Sequence, residues 1–504
     1  MVDTARMAAI WQALSSTPPP ELKTIFTADP DRLTKHVLEL AGLRLDFSKT
    51  HLTDAVIDSF IDLTQAAGLG QARAAMFSGE AINSTEGRSV EHTALRGVGK
   101  ADSVADAKAL RIRMRTLIDA IEAGALGEIQ HVLHVGIGGS ALGPNLLVDA
   151  LAREGHRYDV AIVSNVDGCA LEEAMARFDP HATLLAIASK TFTTGETMLN
   201  AASAMQWMMN AGVDDPYGRV IALTAAPEKA IEWGVDETRI LPFPESIGGR
   251  YSLWSSIGFP AAMALGWGGF EGLLEGAAAM DRHFRQAEPR DNAVLRAAFV
   301  DQYYARVLQC QTRAVFAYDE RLRLLPSYLQ QLEMESNGKA VKLDGSPVDG
   351  PTAPITWGGV GTDAQHAVFQ LLHQGTHLIP VEFVAVREAG DRLDPAHHDA
   401  LLVNCFAQGA ALMRGKDSPD DPARAYPGNR PSTTILIDSL TPHALGALIA
   451  FYEHRTFANG VLMGINSFDQ FGVELGKEIA RSIEHEGAHG FDPSTMALIE
   501  RAVG

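Results

Sequence analysis

The chain carries 504 residues, 46% of them hydrophobic and 21% charged, which is enough apolar content for two or three cored domains and excludes disorder as the main state. Its 62 acidic residues outnumber 42 Lys and Arg to leave a net charge of −20, so non-specific binding to nucleic acid or anionic membranes is excluded. An anionic ligand must then find a local pocket of donors.

Cys169, Cys310 and Cys405 lie far apart without a C-x-x-C pair, which argues for reduced thiols in the cytoplasm rather than a disulfide frame or a zinc site. Met1 to Leu14 holds Asp3 and Arg6 within a helical pattern and lacks the apolar core of a signal peptide. Residues 1–110 read as a mainly helical segment packed on the second domain, broken at Pro18 to Pro20 and at Gly68 to Gly70. Within it, Asn83-Ser84-Thr85-Glu86-Gly87-Arg88 is expected to cap a helix running through His92 and Leu95.

Short apolar strands then alternate with helices, as in a parallel sheet with covering helices. A first α/β domain, residues 111–285, has expected strands at 129–136, 160–166, 183–188 and 220–223 and helices at 142–152 and 197–209. The weakly polar stretch Ser256 to Phe270 falls short of the roughly 20 residues of a membrane span and reads as a buried helix and turn. A second α/β domain, residues 286–504, has expected strands at 314–318, 381–386 and 434–437 and helices at 364–373, 398–413 and 472–482. The fold class is therefore α/β: two domains with parallel sheets flanked by helices, plus helical N-terminal and C-terminal segments.

Six stretches carry candidate chemistry. Gly136-Ile137-Gly138-Gly139-Ser140-Ala141 follows a strand and opens a helix, so its N–H groups can face an anion; it also matches G-x-G-x-x-A, with Asp167 as a possible ribose-binding acid. Ser189-Lys190-Thr191-Phe192-Thr193-Thr194 packs four hydroxyls and one ammonium after a strand, more than a helix cap needs and suited to a phosphate monoester. Gly248-Gly249-Arg250 places a cation where the backbone can approach closely, apt for a developing oxyanion.

Gln331-Leu332-Glu333-Met334-Glu335-Ser336-Asn337-Gly338-Lys339 reads as a helix ending near Glu335. The partial negative charge of a last helical turn disfavours further anions there, which makes Glu333 and Glu335 candidates for a general base. Thr362 or Asp363 can cap a helix carrying His366 and His373, and a histidine near a helix start suits acid–base work. Gln470 and Lys477, seven apart, share one face of a final amphipathic helix.

In this order, from about Asn83 to Ile479, these segments resemble the phosphoglucose isomerase family: Ile137 to Pro144, Ser189 to Thr194, Gly248 to Trp254, Met334 to Lys339 and the segment ending at Lys477. The resemblance implies two sugar-isomerase-type α/β domains and reversible isomerisation of glucose 6-phosphate and fructose 6-phosphate. It implies that Ser189, Thr191 and Thr194, with the Lys190 backbone, hold the phosphate, assisted by Gly139 and Ser140, with Gly249 as a further substrate contact. Glu335 is then the base of a cis-enediol mechanism, Arg250 stabilises the enediolate, His366 and Lys477 assist ring opening, and Gln331 and Gln470 line the site.

The resemblance further implies a homodimer in which the neighbouring subunit contributes the histidine. No metal and no redox cofactor is expected, because proton transfer needs neither. The chain departs from forms common in the family at Gly195, at Asp363-Ala364 and at Glu91, each beside rather than at a residue given a role. Two other readings are an isomerase with broader substrates, such as mannose 6-phosphate, and a sugar-phosphate-binding regulator in which Glu335, His366 and Lys477 would be dispensable.

Overall fold

Eleven strands among the described residues fall into two sheets. The computed structural model describes residues 2–153, 157–487 and 490–503, and the chain divides into two compact units at residues 467 and 468. In chain order the strands are β1 (Val37–Leu40), β2 (Leu43–Asp46), β3 (His131–Gly136), β4 (Asp159–Val163), β5 (Thr183–Ala188), β6 (Val220–Thr224), β7 (Ile240–Pro242), β8 (Thr312–Tyr318), β9 (Ile355–Val360), β10 (Val381–Val386) and β11 (Ser432–Ile437).

The first sheet is wholly parallel, in the order β4-β3-β5-β6-β7. All six residues of β5 are buried, as expected of a strand covered by helices on both faces. Leu133, Val135, Leu185 and Ile187 pack under Ala201, Met205 and Met208 of the helix Gly195–Asn210. Pairing of Gly136 with Ala188 brings the ends of β3 and β5 side by side. The two loops that leave those ends therefore start as neighbours.

The second sheet runs β1-β2-β11-β10-β8-β9, parallel from β11 to β9 and antiparallel where β2 meets β11 and β1. The N-terminal segment, expected to be mainly helical, thus supplies two strands. Each has only four residues, and in β2 just Leu43 and Leu45 alternate as buried positions, too short a run to stand out by period. The expected helix through His92 is also absent. Asn83 instead bridges Arg88 in a tight antiparallel turn, and only Ala94–Arg96 forms a helical turn.

Strand β9 went unrecognised because Gly358 and Gly359 interrupt it. A β-carbon on Gly358 would stand 1.7 Å from the Val315 carbonyl oxygen, so glycine is what lets this edge strand close on β8. A longer omission is the helix Pro442–Met463, buried on nearly every side and hence without an amphipathic stripe. It lies against the helix Phe259–Gln286 at very close range: β-carbons on Gly276 and Gly446 would stand 1.8 Å from His443 O and 2.0 Å from Leu273 O.

Residues 468–503 form the second unit, with the helices Glu474–Glu486 and Pro493–Ala502. Among the described residues no helix is long and apolar enough to cross a membrane.

Candidate active site

The loop after β5 is held in an unusual backbone path. Phe192 sits at φ 53° with its ring buried in the core of the first sheet, so packing holds a left-handed conformation that a bulky residue would otherwise avoid. The turn closes with Phe192 N–H donating to Ser189 O at 3.2 Å. Ser189 Oγ then meets Thr194 Oγ1 at 3.0 Å, and Thr193 Oγ1 donates to Thr191 Oγ1 at 2.8 Å. Thr194 stands at the N-cap of the helix Gly195–Asn210 but makes no side-chain cap bond. Its hydroxyl belongs to the cluster, at the positive end of a helix dipole.

The ammonium expected in this cradle turns elsewhere. Lys190 Nζ donates to the carbonyls of Glu245 at 2.8 Å and Ile247 at 3.0 Å, and burial lowers its pKa. The side chain is a strut from the hydroxyl loop to the segment before Gly248.

After β3 the chain makes a tight turn, Gly138–Ser140, before the helix Leu142–Leu151. His134, fully buried on β3, approaches Ser140 O with Nε2 at 2.7 Å, and burial pushes its pKa down to about 4. The neutral ring thereby fixes the turn from below. A β-carbon on Gly139 would stand 2.2 Å from both C and O of Gly249 and 2.6 Å from Arg250 N; one on Gly138 would stand 3.0 Å from Gln331 Nε2. Three stretches far apart in sequence thus meet, two of them backbone to backbone and the third through the Gln331 side chain. Asp167, considered as a ribose ligand, instead caps the helix Gly168–Arg177 by accepting from Cys169 N–H at 3.1 Å.

Arg250 is 3% exposed and fixed on two sides: Nε donates to Ser336 Oγ at 2.5 Å and Nη2 to Ser467 O at 2.6 Å. Tyr251 OH meets the same Ser336 Oγ at 3.0 Å, and its ring stacks on buried His92 at 4.8 Å between centroids. Nη1 of Arg250 lies 3.7 Å from Glu335 Oε2, a buried oxygen with no hydrogen-bond partner. A carboxylate is thus held beside a cation with one oxygen making no hydrogen bond of its own.

The helix expected to end at Glu335 does not simply end there. Leu325–Leu329 is α-helical, and Gln330–Glu335 then winds as a π turn, a form that recurs at functional sites. Glu333 and Glu335, equivalent in the sequence, part company: Glu333 points into a buried pair with Arg313, and Glu335 into the site.

His366 lies exposed in the second turn of the helix Gly361–Gln374, whose N-cap is Val360 rather than Thr362 or Asp363, and no hydrogen bond or ion pair ties it to Arg250 or Glu335. Gln470 and Lys477 belong to the second unit, where Lys477 Nζ lies 3.3 Å from Glu474 Oε1 on an exposed helix face. The first unit brings together Gly139, Ser140, Gly249, Arg250, Gln331 and Glu335 around one set of loops. His134, Tyr251 and Ser336 escaped the sequence reading. Ser336, between Glu335 and Asn337, and Tyr251, next to Arg250, carried a signal, because each sits inside a stretch already singled out.

A profile of the family described as phosphoglucose isomerase matches residues 46–499 of the chain. A glucose-6-phosphate isomerase from Rhizorhabdus wittichii is 70% identical over 496 residues, covering 98% of this chain and 99% of its own. A relative of the same name from Zymomonas mobilis is 64% identical over 504 residues, covering 100% and 99%. The crystal structure of a glucose-6-phosphate isomerase from Chlamydia trachomatis superimposes with a TM-score of 0.88 at 30% identity, over 98% of both chains.

Proposed function

Because the chain belongs to the phosphoglucose isomerase family and reversibly interconverts glucose 6-phosphate and fructose 6-phosphate, we propose that Glu335 is the base that carries the proton between carbon 2 and carbon 1. The observation that carries this reading is the buried, unpartnered Glu335 Oε2, 3.7 Å from a fixed guanidinium.

With the ring open, Glu335 removes the carbon 2 proton of the aldose, and the electron pair moves to form the cis-enediol while negative charge grows on the carbonyl oxygen. Arg250, desolvated and pre-oriented by Ser336 and Ser467, meets that charge without reorganising. The hydroxyl proton on O2 passes to O1, and return of the proton from Glu335 to carbon 1 as the carbonyl forms at carbon 2 gives the ketose and frees the carboxylate. Ser189, Thr191, Thr194 and the Lys190 backbone hold the phosphate, with Gly139, Ser140 and Gly249 closing round it and Gln331 and Gln470 lining the sugar. His366 and Lys477 assist ring opening.

The active form on this reading is a cytoplasmic homodimer in which each site receives His366 from the neighbouring subunit. In support, His366 is exposed and untied to Arg250 or Glu335 in its own chain. Mixing His366→Ala with Glu335→Gln tests it: subunit exchange restores activity if the site is shared and leaves the mixture inactive if it is not.

The base is tested by assaying fructose 6-phosphate conversion, coupled to oxidation of the glucose 6-phosphate formed, in wild type and Glu335→Gln. A folded variant that has lost at least about 10²-fold in kcat supports the assignment. A folded variant with most of its rate rejects it.

A further inference from the structure

The π turn that presents Glu335 has an anchor which the chemistry itself does not use. Glu333, 8% exposed, receives Arg313 Nη2 on both carboxylate oxygens at 2.5 Å and the Thr356 hydroxyl on Oε2 at 2.6 Å. Arg313 stands on β8 and Thr356 on β9, so the anchor is the sheet itself. Arg313 is in turn held by Glu382 at 3.2 Å, and Arg455 links Glu382 at 2.6 Å with Asp301 at 2.5 Å. The turn is pinned separately by buried Leu329 before it, by buried Leu332 within its first half and by Ser336 and Asn337 after it, where Asn337 Nδ2 donates to Thr456 O at 2.9 Å.

We infer that Glu333 is a positioning residue: bound to Arg313 and Thr356, it holds the one-residue π offset that turns Glu335 toward Arg250. An α-helix places successive residues about 100° apart with a rise of about 1.5 Å. Loss of the offset would therefore rotate Glu335 by roughly that angle, off the guanidinium and away from carbons 1 and 2. Leucine packing alone does not choose between the two windings, because Leu329 and Leu332 lie at or before the middle of the turn. Glu333, two residues before the base, bears on its direction. This inference rests on the reading of Glu335 as the base.

The test uses the full-length protein and the double variant Glu333→Leu/Arg313→Met, which removes one charge of each sign and so keeps the net charge of the buried network, with Arg455 still paired to Glu382 and Asp301. Glu333→Gln serves as the single variant. With folding checked by circular dichroism, kcat is expected to fall roughly tenfold to hundredfold in both, while KM for fructose 6-phosphate changes less than about twofold. With glucose 6-phosphate deuterated at carbon 2, the isotope effect on kcat is expected to rise, because proton transfer becomes slower relative to the other steps.

A folded double variant with wild-type kcat and isotope effect overturns the inference, since Glu333 would then only balance charge. Glu335→Gln, measured alongside, separates the two claims. If it is inactive while the double variant is fully active, the positioning role fails alone; if it keeps its rate, the base assignment fails and the positioning role loses its object.

Discussion

Replacing Gly139 by alanine puts a measurable strain on the junction that seats Arg250. The added β-carbon would stand 2.2 Å from Gly249 C and O and 2.6 Å from Arg250 N, all backbone atoms, so no flexible side chain can swing aside. Non-bonded carbon atoms settle near 3.5 to 4.0 Å, and relief therefore needs the two loops to part by at least about 1 Å. Overpacking of this kind costs about 1–3 kcal/mol in stability.

The cost to catalysis is larger in proportion. Arg250 is tied to Ser336 and to the Ser467 carbonyl, so a shift of its backbone pulls the guanidinium from those partners or carries it away from Glu335. A misplacement near 1 Å costs on the order of 10²-fold, equivalent to about 2.7 kcal/mol of barrier. Steady-state kinetics of fructose 6-phosphate conversion should show kcat/KM down by at least that factor, with unfolding by urea at a lower midpoint. A Gly139→Ala protein with wild-type kcat/KM and an unchanged midpoint would refute the argument that close approach of these loops sets the cation.

Arg250→Lys keeps the charge but cannot bond Ser336, Ser467 O and a substrate oxyanion together, so kcat should fall by roughly 10²–10³-fold with little change in KM; equal loss in KM alone would show that the cation only binds. Acid should weaken the fold through buried histidines. Burial, then the neighbouring Arg32 and Arg296, pushes His36 down to about 3, and burial pushes His51 and His134 to about 4. Since all three folded values lie below the unfolded one near 6.5, the unfolded chain takes up protons first and stability falls as pH drops from about 6.5 toward 4. At pH 5.5 each contributes about 1.4 kcal/mol, together about 4 kcal/mol. Urea midpoints at pH 7 and pH 5.5 measure it, and equal midpoints would contradict the sign.

The hydroxyl loop, the glycine turn and the Arg250 segment were legible because each depends on chemistry that residue types announce. Hydroxyls crowd into one loop after a strand, and paired glycines mark close backbone approach. Strands β3, β5, β6, β8 and β10 were legible as continuous apolar runs. The helix Pro442–Met463 was not, since a segment buried on all sides has no period to read. The turn at Asn83 to Arg88 was misread because its Ser-Thr-Glu pattern serves turns and caps alike.

What the sequence determined by itself was the inventory: a parallel α/β chain, a hydroxyl cradle, a cation after two glycines, and a pair of glutamates one of which could be a base. The family resemblance names Glu335 of the two, and only the tertiary structure gives the two glutamates different partners. Spaced two apart on one short segment, they have the same local charge and the same helical context. Their fates diverge because Arg313 and Thr356 arrive from β8 and β9 to claim Glu333, while Arg250 arrives from beside β7 to face Glu335. That choice belongs to contacts between distant stretches, which no local pattern encodes.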